Sequence, residues 1–395
     1  MPLPTALHSR TAPLCQLQNW RNWAGYLAAR SYEVSHDREY WAIRNGAGLI
    51  DVSPLYKYHL SGPDAPRLLN RVLTRDVRRC AVGQVIYTPW CDEHGKVLDD
   101  GTLARLDETT YRLTAAEPAL RWLKINGPGL DVQIADVTDS LAALALQGPR
   151  ARAILERIAA APLDGLKYFR LARAQLAGID VTVTRTGYTG DLGYELWVAA
   201  PQAAALWDAL MQAGRDHGLL PAGILALDVA RIEAGLVMAD VDYTSARKAP
   251  IEERKSSPLE LGLGWAVALE KDYFVGRRAL RAERERGPAW QLAGLEVDWA
   301  ALERMYAEVG LPTHLPLTAW RASTPVFSLG RQVGYASSGC WSPLLKKYIA
   351  LAHLQASHAK VGGLLSMEVT LEHHRKWCPA RVVKLPFYDP ARKRG

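Results

Sequence analysis

Residues 185–195 read Arg-Thr-Gly-Tyr-Thr-Gly-Asp-Leu-Gly-Tyr-Glu, and no other stretch of the 395-residue chain concentrates so many glycines beside chemically useful side chains. Before it, Ile179-Asp180-Val181-Thr182-Val183-Thr184 alternates apolar and polar residues. After it, Tyr194-Glu195-Leu196-Trp197-Val198 alternates again, so the spacing predicts a turn between two strands. Gly187, Gly190 and Gly193 permit a positive φ, or an approach of backbone to ligand that a Cβ would hinder. A dinucleotide fingerprint would open a helix aimed at phosphate. Here a strand follows instead, and Asp191 and Glu195 would repel phosphate. The chemistry suggested is acceptance of hydrogen bonds from a ligand with planar N–H donors, which a carboxylate can take bidentately. Read alone, an ordinary hairpin with a solvated Glu195 fits equally well.

The chain is longer than the ~250–300 residues at which one core stops growing, so two or three domains are expected. With 49% hydrophobic and 23% charged residues it has a globular composition, and no apolar run approaches the ~18 residues of a membrane span. The start, Met-Pro-Leu-Pro-Thr-Ala-Leu-His, lacks a basic segment joined to an apolar one, so a cytoplasmic location is expected. Cys15, Cys80, Cys91, Cys340 and Cys378 lie far apart without metal spacing and read as reduced thiols. His373 and His374 follow Glu372, but neighbours on a strand face opposite sides, so no metal is predicted. A net charge of +7 could serve nucleic acid, yet no nucleic-acid module signature occurs, and Arg392-Lys393-Arg394 reads as a solvated tail. A small polyanion fits the charge as well.

Along the chain, Glu39 to Arg44 reads as a helix ending at Asn45-Gly46. An α+β unit begins at the strand Tyr56–Leu60, with a helix from Pro63 to about Val72. Strands follow near 83–89, 97–105 and 111–114, with Cys91 to Gly95 as a hairpin turn. Leu141–Leu146 reads as a buried strand, Pro149–Ala160 as a helix and Gln202–His217 as an amphipathic helix. The polar run 244–258 reads as a surface loop or linker. Beyond residue 288, six short strands separated by Gly and Pro suit a small antiparallel barrel.

The central turn resembles the TGYTGExGxE motif of the glycine cleavage system T-protein (aminomethyltransferase) family. The resemblance extends in order through Gly48-Leu49-Ile50-Asp51-Val52-Ser53, Gly95-Lys96-Val97-Leu98-Asp99-Asp100, Leu146-Gln147-Gly148-Pro149, Arg231-Ile232-Glu233-Ala234-Gly235, Gly262-Leu263-Gly264-Trp265 and Phe274-Val275-Gly276-Arg277. Gly334-Tyr335 and Ser342-Pro343-Leu344-Leu345 continue it near the end. Each fragment is short, but their order spans residues 40 to 390. The resemblance implies an α+β, multi-domain, folate-binding fold ending in an antiparallel β-barrel. Its expected parts are residues 1–55 plus 140–285 as the folate-binding core, 56–139 as an antiparallel-sheet domain and 286–395 as the barrel.

It further implies tetrahydrofolate as cofactor and transfer of a methyl or aminomethyl unit from a small donor to N5. Asp99 takes the place of the family's catalytic acid, on the expectation that only one of Asp99 and Asp100 enters the pocket. Glu195 matches the pterin-holding glutamate and Tyr87 a tyrosine of the folate pocket. Tyr188 is a further candidate, and Arg231 could hold the folate tail or structure the cleft. Where T-proteins read Ser-His-Met this chain has Ser53-Pro54-Leu55, and Leu227 and Ala116 replace an arginine and an asparagine. The folate site therefore looks kept and the donor site altered, and the Trp341-Ser342-Pro343-Leu344-Leu345-Lys346-Lys347 segment resembles folate-dependent demethylases of the same superfamily. A free small molecule is favoured over a lipoyl carrier protein as the donor. The competing class is a folate-binding regulatory or assembly protein without transferase activity.

Overall fold

The structure, a computed structural model, describes residues 1–395. A six-stranded sheet runs in the order Leu171–Leu176, Ile179–Thr184, Gly193–Ala199, Leu141–Gln147, Ala47–Asp51, Leu219–Pro221. Its pairings are antiparallel except the last, where Leu219 to Pro221 run parallel to Ala47 to Leu49. Alternation divides its side chains between two cores. Leu144, Leu146, Tyr194, Leu196 and Val198 face the helices Ala151–Glu156 and Ala203–Gly214. Ala143, Ala145 and Trp197 face the opposite way, toward the helix Ile224–Glu233 and the middle of the molecule.

A second, five-stranded antiparallel sheet has the order Val85–Cys91, Val97–Arg105, Thr110–Ala115, Tyr56–Ser61, Gln133–Asp136. Its outer face is covered by the helix Ala65–Val72, whose Leu68, Leu69 and Val72 are fully buried. Each such side chain contributes about 1.5–3 kcal/mol by leaving water. The inner face is polar, carrying Lys57, His59, Arg112, Thr114, Thr102, Asp100 and Tyr87 toward the middle of the molecule. The six strands expected beyond residue 288 close into a barrel in the order Trp290–Val297, Lys347–Gln355, Arg331–Ser342, Thr324–Ser328, Leu364–Leu371, His374–Val383. Barrel residues Cys340, Ile349 and Leu351 join helix residues Ala226, Leu227 and Ala230 and sheet residues Ile50 and Trp197 in one central core. The inner face of the second sheet closes over that core, and there the conspicuous charges converge.

Several local expectations are corrected. The helix expected over Pro149–Ala160 stops at Glu156, because Ala159 and Ala160 instead bond to the edge strand at Leu176 and Gln175. The polar run 244–258 is tied down: Ala246 N–H donates to Val97 O, Ser256 O accepts from Val97 N–H, and Ser245 and Ser257 are buried. Two strand-edge amides thereby find partners that a free linker would leave to water. The basic C-terminus is docked, since Arg392 grips Asp191 with Nε at 2.7 Å and Nη2 at 2.9 Å. His373 lies in a hairpin turn beside Glu372, at φ 53°, and its ring centroid comes within 3.9 Å of that of His374. The strand argument that separated the two rings therefore fails at this turn.

Candidate active site

The turn 185–193 is built around Gln147. Its Nε2 donates to Thr186 O (3.2 Å) and Tyr194 O (3.3 Å), and its Oε1 accepts from Thr189 Oγ1 (2.9 Å). A Cβ on Gly187 or Gly193 would meet Gln147 Oε1 at 1.9 or 2.2 Å, so these two glycines make room for the amide. Only Gly190 has a positive φ, +73°, and there a Cβ would strike Ala234. The glycines thus admit a neighbouring side chain and helix, not a ligand. Asp191 is likewise used internally, by Arg392 and by Arg44 at 3.6 Å.

Glu195 is different. It shares with Trp197 the face of its strand that looks into the middle of the molecule. Thr186 Oγ1 donates to its Oε2 at 2.5 Å and Thr184 Oγ1 at 3.5 Å, so both protein bonds go to one oxygen and Oε1 is left for another donor. Burial raises the carboxyl above its ordinary range, opposed by the Thr186 bond and the charge of Arg112. A half-satisfied carboxylate in low dielectric is a strong acceptor for a ligand N–H. The free Oε1 has the chemistry that the N–H groups of a pterin would require.

Across the site stand the two acids. Asp99, expected from the family resemblance to be the member of the pair that enters the pocket, is set by a bulge at Leu98: Cys91 pairs with Val97, but Trp90 pairs with Asp99 and Tyr87 with Thr102. Asp99 therefore lies on the side of Trp90 and Leu103, whereas Asp100 shares the face of Tyr87 and Thr102. Asp99 is 1% exposed, and its oxygens accept the backbone N–H groups of Asp100 and Glu117, each at 2.8 Å. Asp100 accepts phenol hydroxyls, from Tyr87 at 2.9 Å and from Tyr243 by a short bond. Tyr243 OH also lies 3.5 Å from Asp99. Burial first, and then the charge of Asp100, push Asp99 well above the carboxylate range. Burial raises Asp100 too, but the Tyr243 and Tyr87 hydroxyls pull it back down. Two adjacent carboxyls cannot both ionise cheaply, and the phenols assign the negative charge to Asp100.

Tyr188 packs in the same core, and its hydroxyl donates to Val237 O. Arg231, expected to hold a folate tail or structure the cleft, takes the structural role. It is fully buried, with Nε on Asp228 at 2.8 Å and Nη1 on Asp242. Burial works against its charge, but Asp242 and Asp228 outweigh it and hold the guanidinium above its ordinary value. Asp228 is shared with Arg321, whose Nε donates at 2.7 Å. The sequence reading missed Tyr243 and Arg112. Tyr243 sits alone in a polar loop with no periodicity to mark it. Arg112 could have been found as a cation at an inward position of the strand Thr110–Ala115. Two cavities, of about 390 and 300 Å³, lie elsewhere, beside Tyr26 and Asp139 and between Tyr40 and Trp341, and neither is lined by the acids or Glu195.

A closed antiparallel barrel, two sheets packed on one central core, and Asp100 and Glu195 on faces turned toward that core are the features a family must account for. The GCVT N-terminal domain model matches residues 4–271, and the glycine cleavage T-protein C-terminal barrel domain model matches residues 309–389. The chain belongs to the glycine cleavage T-protein family, tetrahydrofolate-dependent one-carbon transferases. It is 37% identical to an aminomethyltransferase of Moorella thermoacetica, over 90% of each chain. It is 34% identical to one of Halothermothrix orenii, over 88% of this chain and 90% of that one. It is also 34% identical to a trimethylamine-oxide aldolase of Ruegeria pomeroyi, along its whole length but only 48% of that protein's. The crystal structure of aminomethyltransferase T from Bartonella henselae superposes with a TM-score of 0.83 at 25% identity, covering 98% of this chain and 99% of that one. The non-catalytic alternative is not favoured by this company. No helix is long and apolar enough to cross a membrane.

Proposed function

We propose that this protein transfers a one-carbon unit at the aminomethyl level from a small amine donor to N5 of tetrahydrofolate. Glu195 holds the pterin, and Asp100 carries negative charge beside the reacting nitrogen. The observation that supports this most is the pairing of opposed functions across one core: a carboxylate with a free oxygen at Glu195, and an acid pair steadied by phenols at Asp100. When bound, tetrahydrofolate supplies the nucleophilic nitrogen. Asp100 stabilises the positive charge that develops beside it and can take up a proton there, and Tyr87 and Tyr243 fix its orientation. Asp99 is a positioning residue that anchors the backbone of Asp100 and Glu117. Tyr188 and Trp197 exclude water, which strengthens each of these interactions.

A free small molecule, rather than a lipoyl carrier, is the proposed donor. Pro54 and Leu227 stand where the T-protein resemblance implies polar residues, and from outside its helix Asp228 is hydrogen-bonded by the guanidinium of Arg321. Action in the cytoplasm, without nucleic acid, completes the reading. The test is a mass-spectrometric search of folate products after incubation with tetrahydrofolate and two sets of donors, aminomethyl compounds whose carbon is already at the methylene level and, separately, pooled methylated amines, sulfonium compounds and aryl ethers. 5,10-Methylene-tetrahydrofolate is the expected product. 5-Methyl-tetrahydrofolate would convert the reading to demethylation, and unchanged tetrahydrofolate with every donor would overturn it.

A further inference from the structure

Arg112 is 3% exposed, and its Nε is buried with no hydrogen-bond partner. Its guanidinium stacks on Trp197, with Cζ 4.0 Å from the ring centroid. Glu195 acts on it through charge alone, without a hydrogen bond, and burial lowers its pKa to about 9. The neighbours do not relieve it. His59, directly across the strand pair, also buries a ring nitrogen without a partner, and Lys57 commits its ammonium to Ser53 O at 2.6 Å and Leu55 O at 2.8 Å. An isolated guanidinium in a low-dielectric interior is strongly unfavourable unless something accepts from it. Glu195 and Trp197 share one face of their strand, so the guanidinium held over the Trp197 ring brings an unpaired donor to the face that carries the free Glu195 oxygen.

The ligand edge that complements them is planar, with N–H donors next to a carbonyl oxygen. We infer that Arg112 reads the 4-oxo group of the pterin while Glu195 takes the adjacent N3–H and 2-amino donors, so that the pair selects the amino-oxo edge. This rests on the folate reading and adds to it a specificity-determining residue. A carboxylate on the donor is the competing occupant, and the experiment separates the two.

The measurement is calorimetric titration with tetrahydrofolate and with its 4-amino-4-deoxy analogue, in which a donor replaces the carbonyl acceptor. The wild type should prefer the 4-oxo compound by roughly 10- to 100-fold, the discrimination expected of one charge-assisted hydrogen bond. Arg112→Met should bring the two affinities within about threefold, and Arg112→Lys should keep part of the preference. Because no protein group depends on the guanidinium for a bond, the unliganded Arg112→Met protein should melt no lower than wild type. A full preference retained in Arg112→Met, or a raised KM for the one-carbon donor with unaltered pterin discrimination, would overturn the inference. Failure of the wild type to bind either compound would instead remove the folate reading on which it stands.

Discussion

Arg231 and Arg112 are both buried arginines within the same molecule, and their surroundings are opposite. Arg231 is held by Asp228 and Asp242, and its charge is settled before any ligand arrives. Arg112 has an aromatic face, a carboxylate that acts on it through charge alone and no hydrogen bond, whereas the one unpaired nitrogen of Arg231, Nη2, belongs to a guanidinium already held by two carboxylates. The same division runs through the acids. Asp191 is gripped by Arg392 and Asp99 by two amides, whereas Glu195 and Asp100 are held only by hydroxyl groups. Charges whose partners are charges or backbone amides hold the fold together. Charges left with weaker partners are the ones proposed to meet the ligand.

The contrast breaks first if the settled charges prove dispensable. Arg231→Met leaves Asp228 and Asp242 buried without their shared cation and should destabilise the protein by about 3–5 kcal/mol in denaturant unfolding. A loss below about 1 kcal/mol would show that the network is not structural. The acid pair gives the next largest effect. Asp100→Asn should lower kcat by ~10²–10³, about 2.7–4 kcal/mol, with tetrahydrofolate affinity nearly intact. Asp99→Asn should act mainly on stability, by about 1–3 kcal/mol through the amides it serves. If Asp99→Asn destroys turnover while Asp100→Asn is silent, the facing assigned from the strand register is wrong.

A smaller effect lies in pH dependence. Asp100 is proposed to work as a carboxylate, and burial raises its pKa in the fold, so kcat should decline as pH falls through a value above the usual carboxylate range. The linkage to stability has the opposite sense. A raised folded pKa contributes stability that is full below the unfolded pKa and is lost as pH rises through the folded one. Asp100→Asn should therefore flatten both profiles. An acid limb that persists unaltered in the variant would assign it to another group.

Much of this was legible in the sequence where a single periodicity decides. The strand-turn-strand around residue 190 and the six barrel strands follow from alternation and from the placing of Gly and Pro. Glu195 could be placed on the inward face beside Trp197 by counting twos. Asp99 could not, because a one-residue bulge at Leu98 reverses the facing and leaves no mark in composition. The glycines of the turn were misread for a related reason. What they accommodate is Gln147, on a strand some 40 residues away in sequence, and no local pattern announces a long-range partner. Arg392 looked like a solvated tail because its partner Asp191 is more remote still in sequence.

Glu195 is the group proposed to hold the pterin. Calorimetric titration of tetrahydrofolate into the wild type and into Glu195→Gln tests it directly. The wild type should bind one equivalent, and the variant, which loses the charge-assisted acceptor, should bind more weakly by about 1.5–3 kcal/mol, or roughly 10- to 150-fold. Equal affinity in the two proteins would contradict the placement of the pterin at Glu195.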